Sequence, residues 1–151
     1  MKFTSTILLS LGLVAGAYTH PVEERGDVQV AHLTFHGGPA SYDLAVPADG
    51  TLVYTNNDLS ISIIDAPDYN AGTQCIFNTA GEKALVSSID TQTGMQSLIV
   101  GPPQPIISVS CLGTCVPTWG ECYSNGQYVG ACCNGFCAAT RCRPWNISSS
   151  A

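Results

Sequence analysis

Positive charge is what this sequence has least of. Five Lys and Arg stand against eleven Asp and Glu, a formal net charge of −6. An acidic surface repels phosphate backbones and anionic headgroups, which excludes nucleic acid and membrane insertion as expected partners. Long hydrophobic runs are also missing. The one sustained run, residues 7–17, is shorter than the roughly 20 residues a helical membrane span needs, and no second run follows it. Nowhere does an apolar i, i+3, i+4, i+7 stripe persist, so no amphipathic helix is predicted. The chain has no C-x2-C pair, no H-E-x-x-H and no G-x-S-x-G, the usual signatures of zinc binding, zinc proteolysis and the serine nucleophile elbow.

What is present at the start is an export signal. Lys2 supplies a positive n-region, residues 7–17 the apolar h-region, and Ala15-Gly16-Ala17 an A-x-A cleavage site. A mature chain beginning at Tyr18 keeps Arg25, Lys83, Arg141 and Arg143 against the eleven acidic residues, a charge of about −7. Residues 18–27 are polar and unpatterned, which suits a flexible lead or a trimmed pro-segment equally. At the other end, residues 146–151 are polar and carry the sequon Asn146-Ile147-Ser148, a glycosylation acceptor in an exported chain. The expected location is secreted and extracellular, and the expected state a monomer.

Export decides the cysteine chemistry. Eight cysteines in an oxidising compartment read as disulfides rather than metal ligands. Seven lie between Cys111 and Cys142, spaced C-x3-C-x6-C-x9-CC-x3-C-x4-C. So short a segment buries too little apolar surface to stay folded without covalent staples. Residues 112–145 are therefore expected to form a cysteine-rich module after a body at residues 28–111.

That body has period-two patterning. Ala40, Tyr42, Leu44 and Val46 alternate with Ser41, Asp43 and Ala45, and Leu59, Ile61 and Ile63 with Ser60 and Ser62. Turn residues punctuate the pattern at Pro47-Ala48-Asp49-Gly50, Asn56-Asn57-Asp58, Asn70/Gly72, Ala80-Gly81, Thr93-Gly94 and Gly101-Pro102-Pro103. Further strands are expected at 28–36, 51–55, 73–78, 82–88, 96–100 and 105–111. Short strands at such spacing predict an all-β fold, a small antiparallel β-sandwich or barrel. Cys75 falls in phase with Phe77, and Cys111 with Ile107 and Val109, so both point inward and pair naturally. The bond closes a loop of about 37 residues, worth up to about 4 kcal/mol in the chain-entropy model.

Catalytic chemistry finds little purchase. His36-Gly37-Gly38 resembles an oxyanion loop, but no nucleophile elbow accompanies it and Pro39 removes a donor, leaving a turn as the plain reading. His32 and His36 share a strand face around Thr34, where solvated histidines are commoner than a metal site, and the sequence fixes no carboxylate near them. Asp65 and Asp68 in Asp65-Ala66-Pro67-Asp68 suit backbone capping better than a cation. Lys83 is placed on a solvated strand face. No catalytic residue, metal or cofactor is assigned. The cysteine-rich module, by contrast, carries Trp119, Tyr123, Tyr128, Phe136 and Trp145, more aromatic surface than its interior holds. Either two or three pack on the body, or they form an exposed contact patch. The candidate binding residues are Pro117, Trp119, Tyr123, Tyr128, Phe136 and Trp145, an unidentified extracellular protein or glycan being the expected partner.

Six cysteines remain after Cys75 and Cys111, and six allow fifteen pairings, of which twelve avoid a Cys132–Cys133 bond. Their spacing resembles the inhibitor-cystine-knot (knottin) family. That resemblance implies Cys115–Cys133, Cys122–Cys137 and Cys132–Cys142. It departs from hevein-type chitin modules, which have a longer gap after the paired cysteines, so chitin binding is not carried over. Across residues 30–111, the run Phe35-His-Gly-Gly-Pro-Ala-Ser-Tyr42, then Asp49-Gly50, Val53-Tyr-Thr-Asn-Asn-Asp-Leu59, Ile64-Asp65 and 100–111 is similar to small secreted cysteine-rich fungal proteins of the hypersensitive-response-inducing elicitor or effector type. This likeness implies a one-disulfide all-β body and an activity defined by a plant's defence response, with no catalytic motif to transfer. The appended module is its departure. A non-enzymatic effector that binds a host or competitor target is the function expected. A knottin-type hydrolase inhibitor or antimicrobial module on a β carrier is the alternative, and a secreted carbohydrate-binding protein or hydrolase the second.

Overall fold

Period-two alternation becomes strand almost everywhere it occurs. The computed structural model describes residues 27–145. The predicted signal segment 1–17, nearly all of the 18–27 lead and the Asn146 sequon lie outside them. In chain order the body runs β1 (Val30–Gly37), β2 (Ala40–Pro47), β3 (Val53–Tyr54), β4 (Ile61–Asp65), one helical turn α1 (Ala71–Gln74), β5 (Cys75–Asn78), β6 (Ala84–Ile89), β7 (Gln96–Gln104) and β8 (Ser108–Cys111). The cysteine-rich module adds β9 (Tyr123–Ser124), β10 (Gln127–Tyr128), β11 (Phe136–Ala138) and β12 (Arg141–Arg143).

Two antiparallel sheets make the body. The larger has the order β2-β1-β4-β7-β6, the smaller β3-β8-β5. The β1–β2 hairpin turns on Gly38-Pro39, with Gly38 at φ 61 in the left-handed region that glycine enters freely. Along β1, Ala31, Leu33 and Phe35 are buried while His32, Thr34 and His36 face outward, the pleat's own alternation. Leu33, Phe35, Val46, Ile61, Ile64 and Leu98 meet Phe77, Val109 and Cys111 from the smaller sheet in one apolar cluster, with Tyr69 and Ile106 from connecting segments. Phe35 is the hub: its ring stacks on Tyr42 at 4.8 Å and meets Phe77 edge-on at 6.3 Å. The architecture is thus a sandwich. The barrel alternative fails because, among the described residues, only the isolated Asp49–Leu112 bridge at one corner links the two sheets and no ladder closes them on each other. Cys75 and Cys111 face each other across the β5–β8 ladder and are bonded.

The departures have local causes. Residues 73–74, expected as strand, belong to α1, where Gln74 N–H donates to the Asn70 carbonyl at 3.0 Å. A single turn is too short to show a helical stripe. Gly101-Pro102-Pro103, expected as a turn, lies inside β7. The prolines fall beyond the last β6 pair, Ala84–Gly101, and next to an irregularity between Ile61 and Ile63 on β4. A strand tolerates residues without N–H donors where its ladder is interrupted.

In the module the six cysteines bond first to fourth, second to fifth and third to sixth, as Cys115–Cys133, Cys122–Cys137 and Cys132–Cys142. Cys115 and Cys133 lie within the body's apolar cluster, whereas Cys122, Cys132 and Cys142 form a second small one with Val116. Gln29 sits at the joint. Its carboxamide accepts from Cys115 N–H at 2.9 Å and donates to the Cys115 and Cys133 sulfurs at 3.3 Å. The Tyr69 hydroxyl donates to the Gly113 carbonyl at 2.7 Å and Gln74 Nε2 to the Thr114 carbonyl at 3.1 Å. The residues linking body to module are therefore fastened to the body rather than left loose.

Candidate functional site

The exposed aromatic surface of the module is built outward from β12. Arg141 and Arg143 alternate with Cys142, which is fully buried and bonded inward. The two arginines consequently point to the opposite face. Across the ladder Phe136 is paired with Arg143 and Ala138 with Arg141, so these four share one face. Phe136 meets Trp145 at 5.4 Å, tilted by 41°. At Gly135, φ is 88 and an added Cβ would lie 1.8 Å from the Arg143 carbonyl oxygen. Only glycine lets the chain pass there into β11.

Trp119 closes this surface from the side. Gly120 N–H donates to the Pro117 carbonyl at 2.9 Å and Trp119 has φ 70, a turn whose third position normally belongs to glycine or asparagine. A bulky side chain in the left-handed region costs about 1–2 kcal/mol. The conformation is held from both sides: Trp119 N–H donates to the Cys142 carbonyl at 2.7 Å, and Arg141 Nη1 donates to the Trp119 carbonyl at 2.9 Å. The ring, 55% exposed, lies under the Arg143 guanidinium at 5.3 Å. Arg141 also pairs with Glu121 at 3.3 Å.

Of the candidate residues, Trp119, Phe136 and Trp145 are thus brought together around Arg143, and Pro117 opens the turn that presents Trp119. Tyr123 and Tyr128 form a separate edge-to-face pair at 5.3 Å on the β9–β10 hairpin, both exposed. None of the five aromatics belongs to the body's core cluster. Of the two alternatives, packing on the body and an exposed patch, the first finds no support in the core cluster, and four of the five rings pair with one another instead. Sequence reasoning missed the two arginines, although Arg-Cys-Arg-Pro-Trp with a buried central cysteine places Arg141, Arg143 and Trp145 on one side.

The histidines have partners that spacing did not reveal. His32 Nδ1 lies 2.5 Å from Asp68 Oδ2, and His36 Nε2 lies 2.8 Å from Asp65 Oδ2. The expectation of no fixed carboxylate is corrected: β4 and its following loop run beside β1 and deliver both. Ser97 Oγ donates to Asp65 Oδ1 at 2.6 Å, so Asp65 bridges a serine and a histidine. This row borders an open groove of about 440 Å³ with Asp90, Ile63 and Ile99 on its walls. Asp90 accepts from Gln92 and Thr93 N–H groups, and those bonds hold its carboxyl below the usual range. It serves a turn. Asp68 likewise accepts from His32 N–H at 3.1 Å. Among the described residues one trio of ligand-type side chains clusters, the sulfurs of Cys122, Cys132 and Cys142, and all three are committed to disulfides.

Further exposed apolar surface lies on the smaller sheet and the residues flanking it, where Leu52, Tyr54, Ile76 and Leu112 are 45–66% exposed. Among the described residues no helix is long and apolar enough to cross a membrane. No protein-family model, curated protein or solved structure matches this chain.

Proposed function

We propose that this chain acts outside the cell as a non-enzymatic effector- or elicitor-type protein, and that its module engages an extracellular target through the Trp119–Arg143–Phe136–Trp145 surface. Four disulfides with no free cysteine suit an oxidising compartment, as does the signal-like start of the sequence. The observation that carries the reading is Trp119. It is large, exposed and held at a backbone angle that glycine would occupy without strain. Strain of that kind persists only where surrounding structure enforces it, and it concentrates at working surfaces. Exposed Trp, Tyr and Arg are also the residues that dominate protein contact energies.

The decisive comparison is the intact chain against Trp119→Gly. Removing the strain offsets the lost cation–π contact, so thermal stability is expected to stay within about 1 kcal/mol of the parent. Defence induction in infiltrated leaf tissue, and capture of the target from apoplastic fluid, are expected to fall sharply. Full activity in the variant would remove this surface from the account.

One further reading has an observation of its own. The exposed, disulfide-held turn from Pro117 to Gly120 has the rigidity a hydrolase inhibitor needs in its reactive loop. Nanomolar inhibition of a secreted plant or fungal protease by the intact chain would favour it.

A further inference from the structure

Arg143 is the least satisfied cation of this surface. Arg141 has two acceptors, Glu121 and the Trp119 carbonyl. The Arg143 guanidinium makes the stack on Trp119 and, among the described residues, no side-chain hydrogen bond or ion pair. A guanidinium carries five N–H donors in a planar fork that matches a carboxylate two bonds at a time. Stacking on a ring consumes none of them. The contact through the ring face leaves those donors available to an acceptor.

The fork is also preordered. The Cys142 carbonyl and Arg141 hold Trp119, Trp119 holds the guanidinium, and the β11–β12 ladder sets Phe136 directly opposite Arg143. A donor already fixed in place loses little entropy on binding.

Charge is distributed to match. Within residues 27–111, eight acidic residues face the lone Lys83, whereas residues 112–145 carry Glu121 against Arg141 and Arg143. An acidic partner is repelled by the body and admitted by the module, so it arrives with its carboxylates toward β12.

The rings beside Arg143 point to the class of partner. Sugar recognition by stacking uses an open, flat aromatic face. Here one face of Trp119 is covered by the guanidinium, and Phe136 and Trp145 lean on each other at 41°. Such a tilted pair suits an apolar side chain better than a pyranose ring.

We propose that the Trp119–Arg143 stack is a receptor for an aspartate or glutamate carboxylate in an acidic segment of a partner polypeptide, whose neighbouring apolar side chain packs on Phe136 and Trp145. This deepens the contact reading above and rests on it.

The test is a fluorescence titration of the intact oxidised chain, whose two tryptophans both lie at this surface. The probes are a blocked peptide alternating Glu with Phe and Leu, its Gln counterpart, and an oligogalacturonate of equal charge. The acidic peptide is expected to bind, more weakly as salt rises, and the Gln peptide to bind at least tenfold less tightly. Arg143→Gln should weaken the acidic peptide about 10- to 100-fold, the range of a charge-assisted pair. Arg143→Lys should recover only part of that, because an ammonium neither stacks nor forks. Lys83→Gln, which removes the same charge from the body, should change little. Disulfide mapping that returns the parent pairing in each variant verifies the fold.

Equal binding of the two peptides, tighter binding of the glycan, or full affinity in Arg143→Gln would overturn the proposal. If Arg143→Gln keeps target capture that Trp119→Gly loses, the carboxylate receptor fails while the contact surface stands. If both variants keep it, both fail.

Discussion

Phe35 shows how much of this fold one side chain supports. It is fully buried, stacked on Tyr42 and edge-on to Phe77, so it bridges the two sheets. Phe35→Ala is expected to cost about 3–5 kcal/mol, a large share of a small body's stability, measured as a drop in the urea midpoint. Tyr69 adds a pH dependence. It is fully buried, and burial raises its phenol above the usual value of 10.0. The folded state then holds the proton more tightly than the unfolded chain. Its stabilisation is complete below pH about 10, the unfolded value, and is lost as pH rises toward the folded one. Tyr69→Phe should therefore flatten the fall in stability between pH 9 and 11 seen in denaturant titrations. Phe35 was readable as an inward residue of an alternating strand. Tyr69 was not, because it lies in a connecting segment and its hydroxyl partner, Gly113, is 44 residues away.

Elements of the module differ in how far their own sequence specifies them. The β9–β10 hairpin turns on Asn125-Gly126, at φ 52 and 76, the residue pair that a two-residue turn with both angles positive prefers. The β11–β12 hairpin adopts the same pattern with Ala139-Thr140, at φ 50 and 69, which neither residue favours. Neighbouring structure enforces it. The Thr140 carbonyl accepts from Cys122 N–H at 2.9 Å and from Tyr123 N–H at 3.3 Å, while disulfides anchor Cys137 and Cys142. Replacing Ala139-Thr140 with Asn-Gly should therefore raise stability by about 1–2 kcal/mol, read as a higher thermal midpoint with unchanged disulfide pairing. Gly135→Ala should act in the opposite direction. The clash with the Arg143 carbonyl forces β11 and β12 apart, and the oxidised yield with native pairing should collapse.

Across the whole molecule, covalent and apolar cohesion divide the work. The body has one core shared by two sheets, whereas the outer module has three buried cysteines and Val116. Each module bond closes a loop worth about 3 kcal/mol in the chain-entropy model, so little remains there once they are reduced. Progressive reduction followed by hydrogen exchange should release the amides of β9–β12 first and leave the central strands β1, β4 and β7 protected. Uniform release of both would contradict this division. Gln29→Ala should loosen the joint specifically, exposing Cys115–Cys133 to reductant while the β1–β2 hairpin stays protected.

By itself the sequence determined that the body is built of short antiparallel strands, where most of its turns fall, and that Cys75 meets Cys111. Those follow from side-chain alternation and turn chemistry, which act between near neighbours. Only the tertiary structure decided which carboxylates reach His32 and His36, which of twelve open pairings the six cysteines adopt, and that Trp119 lies under Arg143. Each of these depends on segments far apart in the chain that strand order and disulfides bring together, and no local periodicity records such distances.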